Sequence, residues 1–299
     1  MNGVDKGWPG FLNLADYLLS LRPRLEDATG RPVRYNWCLR LDPQIEEFFG
    51  CADWVLKEHG LLLEKFLEDG DEICVHVHPW RPVQRWFRRT WLADYVDQEW
   101  AEHCIRLSHD AFVRHFGRSP SSISMGDFYM SNQIMKLIDE LGFRVDSSLY
   151  PGMEPVKKLK RSELTRGTLP DCRHVPDRAY KPSVTDFTRP GESHHQVWEV
   201  PLSAGRVRHP ISGEEVQSSL LLGAMPDWIE NIIEKNMQKS SPYLHAGLRT
   251  DVRMNADNRE RFDWAMGYIE QLGRKHNFQF MTHNEYCDLL DNNDTACAA

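Results

Sequence analysis

The chain has 299 residues, of which 41% are hydrophobic and 27% charged, an ordinary globular composition that excludes a disordered chain. Its formal net charge of −8 and the lack of a long basic run argue against a nucleic-acid partner. The densest basic stretch, Lys157, Lys158, Lys160 and Arg161, reads as a solvated face.

Helical spacing through Phe11, Leu14, Ala15, Leu18 and Leu21 predicts a first helix that stops at Pro23. PVRYNWCLRL predicts a strand over 33–41, and 45–67 carries a helical pattern closed by Gly70. EICVHVH predicts a strand over 72–78, stopped by Pro79. A long helix is expected over 92–116 and a strand over 119–125. A helix over 131–141 is expected to take Ser131 as its N-cap and to end at Gly142. FRVDSSL reads as a short strand, 151–195 as an irregular surface excursion and VWEVPLS as a strand. A helix over 226–239, a strand in PYLHAGL, a helix over 258–276, a strand in FQFMT and a helix over 284–290 complete the chain.

Strands alternating with helices imply parallel pairing with crossover helices, as a barrel or an open sheet. Either architecture puts its chemistry at the C-terminal ends of strands. No apolar run reaches the ~20 residues of a membrane helix, and MNGVDKGWPG lacks a charged-then-apolar leader, so a cytoplasmic protein without membrane insertion is expected. The seven cysteines are scattered with no C-x-x-C pair, which favours reduced thiols over a zinc knuckle.

Four strand ends carry candidate chemistry. His76 and His78 sit two residues apart, so both imidazoles leave the same face of their strand; the pair is either half of a metal site or two satisfied polar groups. Asp146 either orients a histidine or caps the turn at Ser147 and Ser148. His245 lies within or just after a strand, as a structural or a functional imidazole. Glu199, flanked by apolar neighbours, is expected to point to solvent. His283 starts the last helix, where capping or solvation explains it. No phosphate-binding glycine loop and no G-x-S-x-G elbow occurs, leaving imidazole and carboxylate as the reactive groups.

GDEICVHVHPW over 70–80, PSSISMGDFYMSNQIMKLIDELGFRVDSSLYPG over 120–152, AYKPSVTDFTRPGESHHQVWEVPLS over 179–203 and FQFMTHNEYCDLL over 278–290 together resemble the polysaccharide deacetylases, the NodB-homology group of carbohydrate esterase family 4, in its surface-polysaccharide branch. The resemblance implies a distorted (β/α)7-type barrel in a single domain over 1–299 and a divalent metal, usually zinc. It implies hydrolysis of an acyl amide on an N-acylated sugar or glycan in surface polysaccharide biosynthesis. On the matching positions it makes His76 and His78 metal ligands, His245 the proton donor to the leaving amine and Asp146 an orienting carboxylate. Trp80, Ser124 and Tyr129 become substrate contacts, with Trp80 as a sugar platform. The chain departs from the pattern at three places. Met1-Asn2-Gly3 resembles the tail of the family's first motif, with Asn2 where a ligand Asp would stand, so the first strand is expected to be missing or truncated; Asp5 is not expected to replace it. Trp80 stands where a second histidine is usual, and Ser124 where an arginine is usual. The alternative is a catalytically inactive relative that binds a glycan or a partner enzyme.

Overall fold

A computed structural model describes residues 7–157, 164–239, 243–250 and 255–297. The first-motif remnant at Met1-Asn2-Gly3, Asp5, and the basic residues Lys158, Lys160 and Arg161 lie outside the described residues. In chain order the elements are α1 (Pro9–Thr29), β1 (Asn36–Arg40), α2 (Pro43–Phe49), α3 (Trp54–Glu58), α4 (Gly60–Glu68), β2 (Glu72–Val77), β3 (Trp80–Arg85), β4 (Arg88–Asp94), α5 (Gln98–Phe116), β5 (Ser122–Met125), α6 (Asn132–Glu140), β6 (Val145–Asp146), β7 (Leu164–Arg166), β8 (Trp198–Glu199), β9 (Ala204–Arg208), β10 (Glu215–Ser219), α7 (Pro226–Met237), α8 (Ala256–Lys275) and α9 (His283–Cys297). A single 3₁₀ turn, Gly126–Phe128, follows β5. No helix among the described residues is long and apolar enough to cross a membrane.

The chain divides into two compact units, Met1–Val33 with Leu202–Met281, and Arg34–Pro201 with Thr282–Ala299. The second holds a parallel sheet in the order β1-β2-β5-β6-β8, a mixed α/β arrangement. In-register partners share a face. Arg40, His76 and Ser124 therefore point one way, and Leu39, Val75, Ile123, Asp146 and Glu199 the other. The apolar side packs under helices; Trp37 stacks on Phe66 of α4 with ring centroids 4.1 Å apart.

In the first unit α1 lies along α8. Tyr17 donates to Asp263 at 2.8 Å, and Arg24–Glu270 and Arg274–Asp27 pair at 2.6 and 2.9 Å. These contacts, with Leu25 and Ala28 buried, carry α1 through Pro23 to Thr29. Pro23 removes one amide donor from the helix, and the packing of the last two turns offsets it.

Several predicted elements differ. The long helix expected from 92 begins at Gln98, because 80–94 forms a β3–β4 hairpin whose alternation is masked by arginines and a Trp86-Phe87 turn. The pattern over 45–67 breaks into α2, α3 and α4. FQFMT and the described part of PYLHAGL form no strand; the latter makes one isolated bridge, Leu221 to Gly247. Ser131 caps α6 as expected, accepting from the Ile134 N–H at 3.2 Å.

Candidate functional site

The polar face of β2 presents Glu72, Cys74 and His76 in sequence steps of two, and His78 follows just past the strand end. His76 and His78 turn their Nε2 atoms toward each other at 3.2 Å. Behind His78, Nδ1 lies 3.4 Å from Asp127 Oδ2, an ion-pair separation without hydrogen-bond alignment. The same oxygen accepts from Trp80 Nε1 at 2.6 Å and from the Tyr95 hydroxyl at 2.8 Å. Burial pushes the Asp127 carboxyl up, but the His78 charge and these donors outweigh it and hold it well below the usual carboxylate range.

The turn that presents Asp127 is strained. Asp127 and Phe128 adopt φ of 60° and 59°, a left-handed conformation that is costly for Phe. Gly126 beside them lies against the His78 ring; a Cβ there would stand 2.3 Å from ring atoms, so only glycine lets the imidazole sit where it does.

Asp42 ties the strand ends together. This buried carboxylate follows β1, takes a two-pronged bond from Arg40 at 2.8 and 2.9 Å, and accepts from the backbone N–H groups of Gln44 and His78 at 3.1 and 3.2 Å. It therefore starts α2 and fixes His78 at once. Trp80 is half-buried, with its ring centroid 4.4 Å from that of His78 and the Arg40 guanidinium 5.5 Å from its own centroid.

Ser124, Tyr129, Asp146 and Glu199 lie in the same unit as the histidine pair. Ser124 is the register partner of His76, and its hydroxyl donates to the Ser147 carbonyl at 3.4 Å. Tyr129 is 3% exposed, with its hydroxyl bonded to Gln98 at 2.6 Å, so it sits inside the protein and packs on Tyr95. Asp146 orients no histidine. It is fully buried on the face opposite His76, where Ser148 donates to it and Glu199 of β8 lies within hydrogen-bonding reach. Glu199, expected in solvent, is 0% exposed, because Asp146 beside it and the backbones of Leu149 and Tyr180 enclose it. Burial raises both carboxyls, and the neighbouring Asp146 charge raises Glu199 further. His245 belongs to the other unit, on an extended stretch whose backbone N–H donates to Ser203 Oγ at 3.0 Å.

A second polar group lies lower on β2. Glu72, Cys74 and His283 are buried, with one ligand atom from each within 4.8 Å of the others. Cys74 Sγ stands 3.7 Å from His283 Nδ1. Glu72 accepts from Ser122 and from the Asn284 N–H at 2.9 Å, so it also caps the start of α9. Burial lowers the His283 pKa to about 4 and raises the Cys74 thiol. This cluster could bind a metal. Asp127, Asp42 and Gly126 escape a sequence reading, although LRLDP carries an N-cap Asp before Pro and MGDF a Gly-Asp turn at a strand end.

No family model matches the chain, and no curated protein matches its sequence. Among solved structures it is similar to one from Mycobacterium smegmatis provisionally described as a polysaccharide deacetylase, at 12% identity and a TM-score of 0.48, over 91% of this chain and 77% of that one. It is also similar to a 4-alpha-glucanotransferase from Thermococcus litoralis, at 13% identity and a TM-score of 0.45, over 95% of this chain and 38% of that one. A GH57 branching enzyme from Thermococcus kodakaraensis matches at 11% identity and a TM-score of 0.41, over 92% of this chain and 58% of that one. The chain thus spans less than two thirds of these last two. Likeness at this level carries no argument.

Proposed function

We propose that the chain is a metal-dependent hydrolase that removes an acyl group, acetyl foremost, from an N-acylated sugar in surface-polysaccharide assembly. The observation that carries this reading is the pair of Nε2 atoms at 3.2 Å on His76 and His78. Two nitrogens on one tetrahedral zinc, each at about 2.0–2.1 Å, stand roughly 3.3 Å apart. The donor set therefore fits a shared zinc-like ion, and His76 and His78 would hold it. Such an ion lowers the pKa of its water and polarises an amide carbonyl.

The chain's own residues supply the rest. Asp127 stands 3.4 Å behind the far nitrogen of His78, where its charge favours the ring and a small turn of the imidazole would make the bond that carboxylates give metal-binding histidines. Trp80, with Arg40 beside it, offers an aromatic surface for the apolar face of a sugar, and Ser124 a hydroxyl next to His76. In this reading the parallel sheet is an arc of a distorted barrel.

One observation favours the alternative, a glycan-binding relative without catalysis. Among the described residues the group of three donor atoms within 4.8 Å of one another is Glu72, Cys74 and His283, and it does not include the pair. An active zinc site keeps three protein ligands and an open position. The test is acetate release from N-acetylated sugars and nucleotide sugars with zinc supplied. Release above a His76→Ala control supports the hydrolase; release equal to that control on every substrate, with glycan still bound, supports the alternative.

A further inference from the structure

We propose that Glu72, Cys74 and His283 hold a second divalent ion of the zinc type, a structural one, with Cys38 as its fourth donor. The inference does not rest on the hydrolase reading. Three chemically different donors, a carboxylate oxygen, a thiol sulfur and an imidazole nitrogen, meet within 4.8 Å in a buried place. Metal–sulfur and metal–nitrogen bonds of about 2.3 and 2.0–2.1 Å at a tetrahedral angle put the two atoms roughly 3.6 Å apart. Cys74 Sγ and His283 Nδ1 are 3.7 Å apart.

The fourth position comes from the sheet register. Cys38 of β1 is the direct register partner of Cys74 of β2, so both thiols leave the same face; the Cys38 Sγ stands outside the 4.8 Å group and would turn in to complete the site. Cys38 is exposed, which gives the ion a way in. The Glu72 carboxylate is oriented by Ser122 and the Asn284 N–H, and the His283 backbone N–H is fixed on Asn36 at 2.8 Å. Supporting bonds of this kind hold ligands in metal sites.

On binding, the Cys38 and Cys74 S–H bonds break, two protons go to solvent, and two metal–sulfur bonds form. His283 contributes the lone pair of Nδ1, and Glu72 its carboxylate. The ion would pin β1, β2 and the first turn of α9 to one point.

The test is titration of the reduced, chelator-stripped full chain with cobalt(II), read by absorption. Thiolate ligation gives a sulfur-to-cobalt charge-transfer band, which an all-imidazole site lacks. The expected result is such a band, displaced by zinc, retained in His76→Ala and lost in Cys74→Ser. Cys38→Ser, at an exposed position, should weaken binding roughly 10–100-fold while leaving the fold intact. No band in the wild-type chain would overturn the proposal, as would a band undiminished in both cysteine variants. Loss of metal from His76→Ala with the band kept bears on the hydrolase reading alone and supports two separate sites.

Discussion

Asp146 and Glu199 face each other across β6 and β8 as register partners, both at 0% exposure. Ser148 donates to Asp146, and the Leu149 N–H donates to Glu199 at 3.3 Å. One oxygen of each carboxyl, Asp146 Oδ2 and Glu199 Oε2, receives no donor from elsewhere. Two buried carboxylates this close cannot both ionise, so the pair keeps a proton that water-exposed carboxyls would give up.

That proton makes stability depend on pH with a definite sign. Both carboxyls are raised above their ordinary range, Glu199 well above it. Above the unfolded carboxyl range the folded state binds more protons than the unfolded one, so stability falls as pH rises through the folded value. The slope is about 1.4 kcal/mol per pH unit for one retained proton. Glu199→Gln keeps the shape and removes the titration. Urea midpoints from about pH 5 to about pH 8 should fall for the wild type and stay flatter for the variant.

Gly126→Ala should disturb His78 directly. The new methyl would stand 2.3 Å from the ring, which is held between His76, Trp80 and Asp127. Overpacking of this kind costs about 1–3 kcal/mol. Chemical denaturation should show that loss, and zinc titration should show weaker binding at the histidine pair.

Asp127→Asn tests positioning in place of packing. The amide can still accept from Trp80 and Tyr95 but carries no charge for His78. Removing the partner behind a metal-binding imidazole lowers metal affinity roughly 10–100-fold. Calorimetric zinc titration should show a drop of that size with His76 and His78 both present.

Asp42→Asn should cost about 1–3 kcal/mol, because the Arg40 fork loses its charged acceptor in a buried place. The His78 N–H bond weakens with it, so the loss should appear in the urea midpoint and in zinc affinity together.

The sequence makes the alternating order, the α6 cap at Ser131 and the shared face of His76 and His78 legible, because periodicity and capping are local. It hides what depends on register between strands. Nothing near Glu199 in VWEVPLS says that its neighbour across the sheet is another carboxylate, and an isolated Glu in a strand reads as solvated. The hairpin over 80–94 is hidden by its arginines, two of which find acidic partners, Arg81 with Asp94 and Asp97 and Arg89 with Glu47, while Arg166 of β7 pairs with Asp94 from across the ladder. Asp127 is missed because its importance comes from Trp80, Tyr95 and His78, more than thirty residues away in sequence.

The most direct measurement is zinc stoichiometry and affinity of the chain as wild type, His76→Ala and His78→Ala, with Cys74→Ser as a background so that the thiol cluster adds nothing. The background is expected to bind one equivalent, and each histidine substitution to weaken it at least tenfold, since each removes one of two facing nitrogens. Equal zinc content and equal affinity in all three would contradict that expectation and leave the histidines as a hydrogen-bonded pair without a metal.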